Sequence, residues 1–361
     1  MLIERLLITN FRNLSALELK PCEGFNLITG PNGSGKTSVL EAVSYLAQAR
    51  SFRGSSYQYL IKSGTPQFSL YASVRPDTEP QIPVDIGISR GRLNSSYVIK
   101  VNGAVISRLS DLASYTCVQV IHPQGIELIT GGPEERRHFM DWGVFYTVPH
   151  FSRLYSDYMR ALKQRNGLIR LDAPDSEFAV WDAQLAKLSL EITQLRRKYV
   201  ADLKAVLEPI VADFLPQFTF DFNLSAGFDE GADLSAQMAQ NLEKERVLGY
   251  TSIGCHRADL KVKSNSISAG ATLSRGQLKL LVCAMRMSQS LLLKQQTERS
   301  CIFLIDDLNA ELDKRSQHLL LTHLARCRNQ VFITNITPEL QLPADSNKIC
   351  IELEDGRIVS S

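Results

Sequence analysis

The segment 30–37, Gly-Pro-Asn-Gly-Ser-Gly-Lys-Thr, has residue types and a spacing suited to holding phosphates. It matches GxxxxGK[ST], with a strand-like segment before it and apolar residues at helical spacing after it. Glycines let backbone N–H groups converge on phosphates, and a helix N-terminus adds positive potential. The alternative, a plain glycine-rich turn, fits these flanks poorly. The candidate nucleotide-binding residues are Gly30, Pro31, Asn32, Gly33, Ser34, Gly35, Lys36 and Thr37.

A metal and its water would need carboxylates beside this loop, and the chain offers a pair. The apolar run 301–305 has the pattern of a buried parallel strand and ends in Asp306 and Asp307. We expect Lys36 to meet the β- and γ-phosphates, and Thr37 and Asp306 to hold Mg²⁺. Asp307 is the candidate to orient or deprotonate the attacking water. The alternative is a pair of solvated turn carboxylates.

A second small polar element lies far downstream, at Leu273-Ser-Arg-Gly-Gln277. It resembles the LSGGQ signature of ABC-type ATPases, in which the signature of one subunit closes over the γ-phosphate held by the other. The resemblance implies a head-to-tail homodimer with C₂ symmetry that encloses two ATP molecules. Taken alone, this segment is better interpreted as a serine cap on the following helix, and the phosphate-binding loop and the acidic pair favour the signature instead. The candidate residues contributed in trans are Ser274, Arg275, Gly276 and Gln277.

Further motifs follow the order of that ATPase class. The segment 122–125 resembles the Q-loop, which implies that Gln124 reaches toward Mg²⁺ and the attacking water. The segment 311–313 resembles the D-loop, with Asp313 near the partner subunit. Many relatives carry Glu where this chain has Asp307. The shorter side chain predicts slow turnover, unless the backbone adjusts to restore its reach. No histidine stands near 331–335, so Thr334 or Asn335 is expected to contact the γ-phosphate instead.

The elements that must position these residues are visible in the pattern. Residues 68–107 have the alternation of antiparallel strands, with a two-residue hairpin at Asn102-Gly103. From about 135 to 250 the pattern is helical, and one helix around 185–206 is expected to pack on 151–170. We predict an α/β fold: an ABC-type ATPase head, a mixed sheet with a P-loop core and an antiparallel β-subdomain. The head comprises 1–135 and 250–361, and a helical arm, 136–249, is inserted between them.

Charge favours only a local nucleic-acid surface. The formal net charge is +2, but residues 151–200 hold nine Lys or Arg and six Asp or Glu, a local charge of +3 (9 − 6). Solvated helix faces often look like this, so both interpretations stay open. The candidate DNA-binding residues are Lys163, Arg165, Arg196, Arg197 and Lys198. Seven scattered cysteines without a CxxC pair, no signal peptide and no membrane-length apolar run predict a cytoplasmic protein without a membrane partner.

Together these motifs resemble the RecF family, bacterial recombinational-repair ATPases of the SMC-like group. Beyond the elements above, the resemblance rests on Phe11-Arg-Asn13, Gly132–Arg137 and Lys163–Asn166. It implies ATP and Mg²⁺ as cofactors, ATP-dependent dimerisation on gapped or single-strand/double-strand junction DNA, and weak DNA-stimulated hydrolysis. It also implies loading of RecA with RecR and RecO as partners, and places Arg12 and Asn13 near the phosphates. The alternative function is a cytosolic ABC-type ATPase coupled to a mechanical partner other than DNA.

Overall fold

The structure is a computed structural model that describes residues 1–54, 56–77, 79–92, 97–344 and 346–360, and only the backbone at 310 and 311. The chain forms two compact units, one of 1–125 with 279–361 and one of 126–278. Segments 126–135 and 250–278, which the motifs assign to the head, thus cluster with the second unit. The division into an ATPase head and an arm by function stays a prediction.

The strands and helices follow one another through both units. The strands are β1 (Leu2–Phe11), β2 (Leu14–Leu19), β3 (Phe25–Thr29), β4 (Gln67–Arg75), β5 (Val84–Gly91), β6 (Tyr97–Val101), β7 (Ala104–Ile106), β8 (Val118–Ile121), β9 (Phe220–Ser225), β10 (Asp259–Ser264), β11 (Ile267–Ser268), β12 (Ile302–Ile305), β13 (Val331–Thr334), β14 (Lys348–Glu354) and β15 (Arg357–Ser360). The helices are α1 (Lys36–Gln48), α2 (Leu109–Tyr115), α3 (Glu127–Thr130), α4 (Pro133–Thr147), α5 (Phe151–Arg170), α6 (Ala179–Phe214), α7 (Leu234–Leu248), α8 (Ala269–Thr272), α9 (Arg275–Thr297), α10 (Leu308–Glu311) and α11 (Lys314–Arg326).

The first unit contains the sheet that carries the phosphate-binding loop. Its order is β15-β14-β3-β13-β12-β8, parallel except for β15 at the edge. Strands β3, β12 and β13 are buried at every position, as expected for central parallel strands covered on both faces. Because parallel strands end at the same edge, the residues after β3, β13 and β12 meet there. The strands predicted at 301–305 and 331–334 are confirmed.

A second sheet of this unit is antiparallel, with the order β2-β1-β4-β5-β6-β7. Alternate residues of β4 are buried, which gives the sheet one apolar face. The predicted Asn102-Gly103 hairpin between β6 and β7 is confirmed. Helix α1 contacts strands of both sheets. Phe11, Tyr45 and Phe68 meet there edge to face, with ring centroids 5.2–6.2 Å apart, and fix the helix that follows the loop.

The second unit is mainly helical. The predicted packing of α6 on α5 is confirmed, and α7 contacts both helices. A small antiparallel sheet, β11-β10-β9, completes the unit. Among the described residues, no helix combines the length and the apolar character needed to cross a membrane.

Candidate functional site

The phosphate-binding loop joins β3 to α1, and two of its glycines are required by their surroundings. Gly30 and Gly35 have φ angles of 141° and 107°, which L side chains rarely adopt. A Cβ at Gly30 would lie 2.1 Å from the Leu353 carbonyl oxygen, and one at Gly35 would lie 2.6 Å from a Leu14 methyl. The loop therefore has a shape that only this glycine pattern permits.

Lys36 is held by the loop to which it belongs. Its Nζ donates hydrogen bonds to the carbonyl oxygens of Gly30, at 2.7 Å, and Pro31, at 2.8 Å. Burial lowers the pKa of the Lys36 ammonium, whereas the carboxylates of Asp307 and Asp306 act to raise it. The lysine is thus close enough to both acids to feel their charge, as a shared phosphate site requires.

Asp306 lies where the ends of three strands meet. Its Oδ1 accepts a hydrogen bond from the Thr37 hydroxyl at 2.8 Å and another from the Thr334 hydroxyl at 2.8 Å. Thr334 Oγ1 in turn accepts the backbone N–H of Asp307 at 2.9 Å. A hydroxyl from the loop and a carboxylate that follows the neighbouring strand, in direct contact, are the donor types that NTPase sites offer to Mg²⁺. The described residues contain no group of three or more His, Cys, Asp or Glu that could hold a metal ion.

Asp307 and Asn335 both line the same cleft beside the loop. The backbone of Asp307 is left-handed, with φ of 53°, a conformation that Asp tolerates better than most residues. The Asn335 amide Nδ2 donates to the Thr337 carbonyl oxygen at 2.9 Å, whereas Oδ1 is buried and has no partner among the described residues. An amide oxygen accepts hydrogen bonds only, so Oδ1 suits the O–H of a water rather than a phosphate oxygen.

The cleft has a volume of about 990 Å³, and its lining fits a nucleoside triphosphate with Mg²⁺. The buried Ser34 hydroxyl has no hydrogen-bond partner in the described part of the chain, but Ser34 is not among the residues that line the cleft. Gln58, Tyr59, Lys62 and Arg92 extend the lining away from the loop. The motifs did not identify these four residues, because they come from a connecting segment and a strand end without a pattern of their own.

Arg12 and Asn13, predicted near the phosphates, line the cleft but are engaged with the protein. Arg12 donates to both carboxylate oxygens of Glu41, at 2.8 and 2.7 Å, and Glu41 is fully buried in α1. The Asn13 amide donates to the Gly33 carbonyl oxygen at 2.8 Å and accepts from the Ser38 hydroxyl. Their observed role is to brace the loop, and direct phosphate contact stays a prediction. The sequence analysis missed Glu41, although an acid within the apolar spacing of a helix signals a buried ion pair.

Gln124 lies in a 3₁₀ turn, Pro123–Ile126, directly after β8. Its side chain is exposed and its Oε1 accepts a hydrogen bond from His122 Nδ1 at 3.1 Å. Pro123 lines the cleft and Gln124 does not, so the predicted contact with Mg²⁺ requires this side chain to turn inward. Asp313 caps α11, accepting from the Ser316 N–H and hydroxyl at 3.0 Å, and these hydrogen bonds lower its pKa.

The signature-like segment forms a capping box in the second unit. The Ser274 N–H donates to Gln277 Oε1 at 2.8 Å, and the Gln277 N–H donates to Ser274 Oγ at 3.4 Å. Ser274, Arg275 and Gly276 are exposed. The capping interpretation thus describes this structure, and the role in trans stays a prediction that the exposed segment leaves open.

The predicted DNA contacts of Arg165 and Arg196 are wrong, because both side chains are fully buried and ion-paired. Arg165 donates to Asp182 at 2.6 Å and also pairs with Glu245, which ties α5 to α6 and α7. Arg196 pairs with Asp141 at 2.7 and 2.9 Å and donates to the Cys255 carbonyl oxygen. Neither guanidinium can reach a polyanion.

The other three candidates are exposed. Arg197 pairs with Glu230 at 2.5 Å and Lys198 with Asp202 at 3.0 Å, whereas Lys163 has no acidic partner among the described residues. DNA contact at these three positions stays a prediction, with Lys163 the best placed of them.

Comparison with known proteins gives consistent similarities over the whole chain. A family model described as the RecF/RecN/SMC N-terminal domain matches residues 2–358. The DNA replication and repair protein RecF of Mannheimia succiniciproducens is 40% identical over 339 residues, 94% of this chain and 93% of the relative. That of Histophilus somni strain 129Pt is 39% identical over 359 residues, 99% of each. A solved structure of the recombination mediator protein RecF with ATP, of the RecFOR pathway, superposes with a TM-score of 0.88 at 25% identity, covering 99% and 98% of the two chains.

Proposed function

This chain belongs to the RecF family of DNA replication and repair proteins, which has an SMC-like ATPase head fold, and from that premise we propose that it is an ATP-driven, DNA-binding switch of recombinational repair in the cytoplasm. The observation that carries the proposal is the contact of Thr37 with Asp306 beside a glycine loop of fixed shape. That arrangement supports ATP and Mg²⁺ as the ligands of the cleft.

Each side chain of the cleft has a defined part in hydrolysis. Lys36 and the loop N–H groups bind the β- and γ-phosphates, and Thr37 and Asp306 hold Mg²⁺, which supplies charge neutralisation of the phosphate oxygens. Asp307 accepts a proton from the attacking water or orients it. Asn335 Oδ1 accepts a hydrogen bond from the second O–H of that water. We propose this contact in place of the predicted contact with the γ-phosphate, because an amide oxygen can only accept. With an aspartate in place of the longer acid, turnover is slow.

The exposed signature-like segment supports the second half of the proposal. Ser274 of one copy meets the γ-phosphate bound by another, so that two ATP molecules stabilise a C₂ homodimer. DNA binds the ATP form and stimulates a weak hydrolysis, which releases it. The DNA is gapped, with a junction between single and double strands. RecR, and RecO with it, are the partners in loading RecA.

Sedimentation with ATP, ADP or no nucleotide tests the switch. We expect dimers and tight DNA binding with ATP, and monomers with weak DNA binding in ADP. Lys36→Arg is expected to bind ATP and turn it over poorly. Dimers that persist unchanged in ADP would contradict the proposal. A chain that hydrolyses ATP but binds neither gapped nor duplex DNA at low salt would support the alternative, an ATPase with a different mechanical partner.

Mixing two inactive variants tests whether the site is shared between copies. Ser274→Arg blocks the segment that acts in trans, and Lys36→Met blocks the loop. If each site needs one of each, a mixed dimer holds one intact site and recovers part of the activity. Activity of Ser274→Arg alone equal to that of the unmodified chain would rule out the role in trans.

A further inference from the structure

Helix α5 carries basic residues along the face opposite to its buried one. At about 100° per residue, Arg153, Arg160, Lys163 and Arg170 fall within an arc of about 100°. The residues of α5 that pack inside the unit, among them Leu154, Tyr158, Leu162 and Ile169, lie on the other side of the helix. All four basic side chains are exposed. We call these four residues the α5 stripe.

Three members of the α5 stripe are not neutralised within the protein. Arg160 is paired with Asp157, the one acidic residue of α5. Of the described residues, none forms an ion pair or side-chain hydrogen bond with Arg153, Lys163 or Arg170. Three cations of α6 differ in this respect: Arg197, Lys198 and Lys204 each pair with an acid. Free cations in a row attract a polyanion, whereas paired ones are largely cancelled.

The length and chemistry of the α5 stripe indicate which polyanion it fits. Arg153 and Arg170 are 17 positions apart (170 − 153), which is about 25 Å along a rigid helix. Duplex DNA presents phosphates at fixed intervals over such a length, about one per 3.4 Å on each strand. Sites for single strands use aromatic side chains on which bases stack. The arc that holds the stripe contains none: the other residues of α5 within it are Ser152, Ser156 and Gly167.

We propose that the α5 stripe binds the phosphate backbone of duplex DNA, the double-stranded part of the DNA to which the chain binds. This inference rests on the proposed function and assigns its DNA contact to a surface. Each of Arg153, Lys163 and Arg170 makes a phosphate contact, and Arg160 contributes less because Asp157 shares its charge. The contact is independent of base sequence, because the side chains meet phosphates and not base edges.

The test uses a triple variant of the full-length chain, Arg153→Gln, Lys163→Gln and Arg170→Gln. The matched control removes the same charge from three ion-paired cations that are not candidates for DNA contact, with Arg5→Gln, Lys204→Gln and Lys261→Gln. Binding to a duplex and to a single strand of equal length is measured with a non-hydrolysable ATP analogue between 50 and 200 mM salt. Thermal unfolding and ATP-driven dimerisation show whether each variant is intact.

We expect the stripe variant to bind duplex at least tenfold more weakly at 50 mM salt, with a salt slope shallower by about 2.7, since each phosphate contact contributes about 0.9. The control should stay near the unmodified chain. Arg153→Lys with Arg170→Lys, which keeps the charge, should restore most of the affinity, which separates lost charge from a damaged fold. An unchanged duplex slope, an equal loss in the control, or a loss only on single strands would each overturn the inference. If the unmodified chain binds no DNA at 50 mM salt, the proposed function itself fails.

Discussion

Thr334 shows how one hydroxyl can align two acids. It donates to the Asp306 carboxylate and accepts from the Asp307 backbone, so it fixes the side chain of the first acid and the main chain of the second. The left-handed backbone of Asp307 depends on such support, because that conformation costs free energy in non-glycine residues. We therefore predict that Thr334 is a positioning residue for ATP hydrolysis. In the sequence, only its place near the expected switch histidine pointed to it.

Thr334→Val keeps the shape and removes both hydrogen bonds. We expect kcat for ATP hydrolysis to fall by about thirtyfold, because two lost hydrogen bonds of roughly 1 kcal/mol each remove about 2 kcal/mol of alignment. Nucleotide affinity should change little, because the Thr334 hydroxyl donates its hydrogen to Asp306 and not to the γ-phosphate, as the sequence analysis had allowed. Steady-state ATPase assays and nucleotide titration measure the two quantities. Thr322→Val on α11, where the hydroxyl bonds only to its own helix at His318, is the matched control. Equal kcat values for both variants would contradict the role.

His256 links acid conditions to stability in the helical unit. Its Nε2 donates to the Thr251 carbonyl oxygen at 3.0 Å, and its Nδ1 accepts the Tyr158 hydroxyl at 2.5 Å. Burial lowers the pKa of His256 from 6.5 to about 4. Between these values the unfolded chain binds a proton that the native chain does not. The free energy of unfolding therefore falls as the pH drops from 6.5 toward 4, by about 3 kcal/mol from this group, and is unaffected above 6.5.

His256→Gln should flatten that dependence. We expect the variant to lose less free energy of unfolding between pH 7 and pH 4.5 than the unmodified chain, whatever its stability at neutral pH. Urea titrations at several pH values give the difference, which cancels the contribution of carboxylates common to both. His150→Gln, at an exposed histidine, should keep the original slope. A slope for His256→Gln as steep as that of the unmodified chain would show that the proton is bound elsewhere.

At the scale of elements, helix contacts depend on small residues at defined places. Gly143 of α4 faces Tyr199 of α6, and a Cβ there would lie 1.9 Å from the ring. The bulky ring and the missing side chain thus set how closely the two helices approach. A Cβ added to Gly167 of α5 would instead have open space around it. The two glycines, both inside helices, should therefore respond in opposite ways to the same substitution.

Gly143→Ala should destabilise the chain by about 1–3 kcal/mol, because the ring or the helix must move. Gly167→Ala should be neutral or stabilise by up to about 1 kcal/mol through helix propensity. Chemical unfolding followed by circular dichroism measures both. Similar values for the two variants would mean that α4 and α6 can separate at no cost.

The sequence predicted the local elements correctly, but it did not predict which side chains of the candidate site contact one another. Strands β12 and β13, the hairpin and the phosphate-binding loop followed from local patterns that the fold leaves intact. The buried Arg165 and Arg196 did not follow from a charge count, which does not distinguish a solvated cation from one inside an ion pair. Helical spacing holds the missing signal: Arg196 is four residues after Ile192 and three before Tyr199, within the apolar seam of α6. The contact of Thr334 with Asp306 joins residues 28 positions apart. Contacts of this kind could be identified only from the structure.

At the scale of the whole molecule, the proposed site is complete only when two copies meet. The loop with Lys36 and the segment with Ser274 belong to different compact units of the chain. A site made by two chains has an activity that depends on how many chains are paired. ATPase activity per chain should therefore rise with protein concentration and level off once dimers dominate. Assays over a hundredfold range of protein, at saturating ATP, measure this. A constant activity per chain would place the complete site within one copy.

The bonds from Lys36 to the carbonyl oxygens of its own loop carry a consequence for mutagenesis. The ammonium that would attract a phosphate also holds the loop in shape through these hydrogen bonds, so removing it removes both the hydrogen bonds and the charge. Weak ATP binding by Lys36→Met would thus report two losses at once. Lys36→Arg keeps the charge. Any loss of ATP affinity in that variant therefore measures the effect of the lost hydrogen bonds to the loop alone.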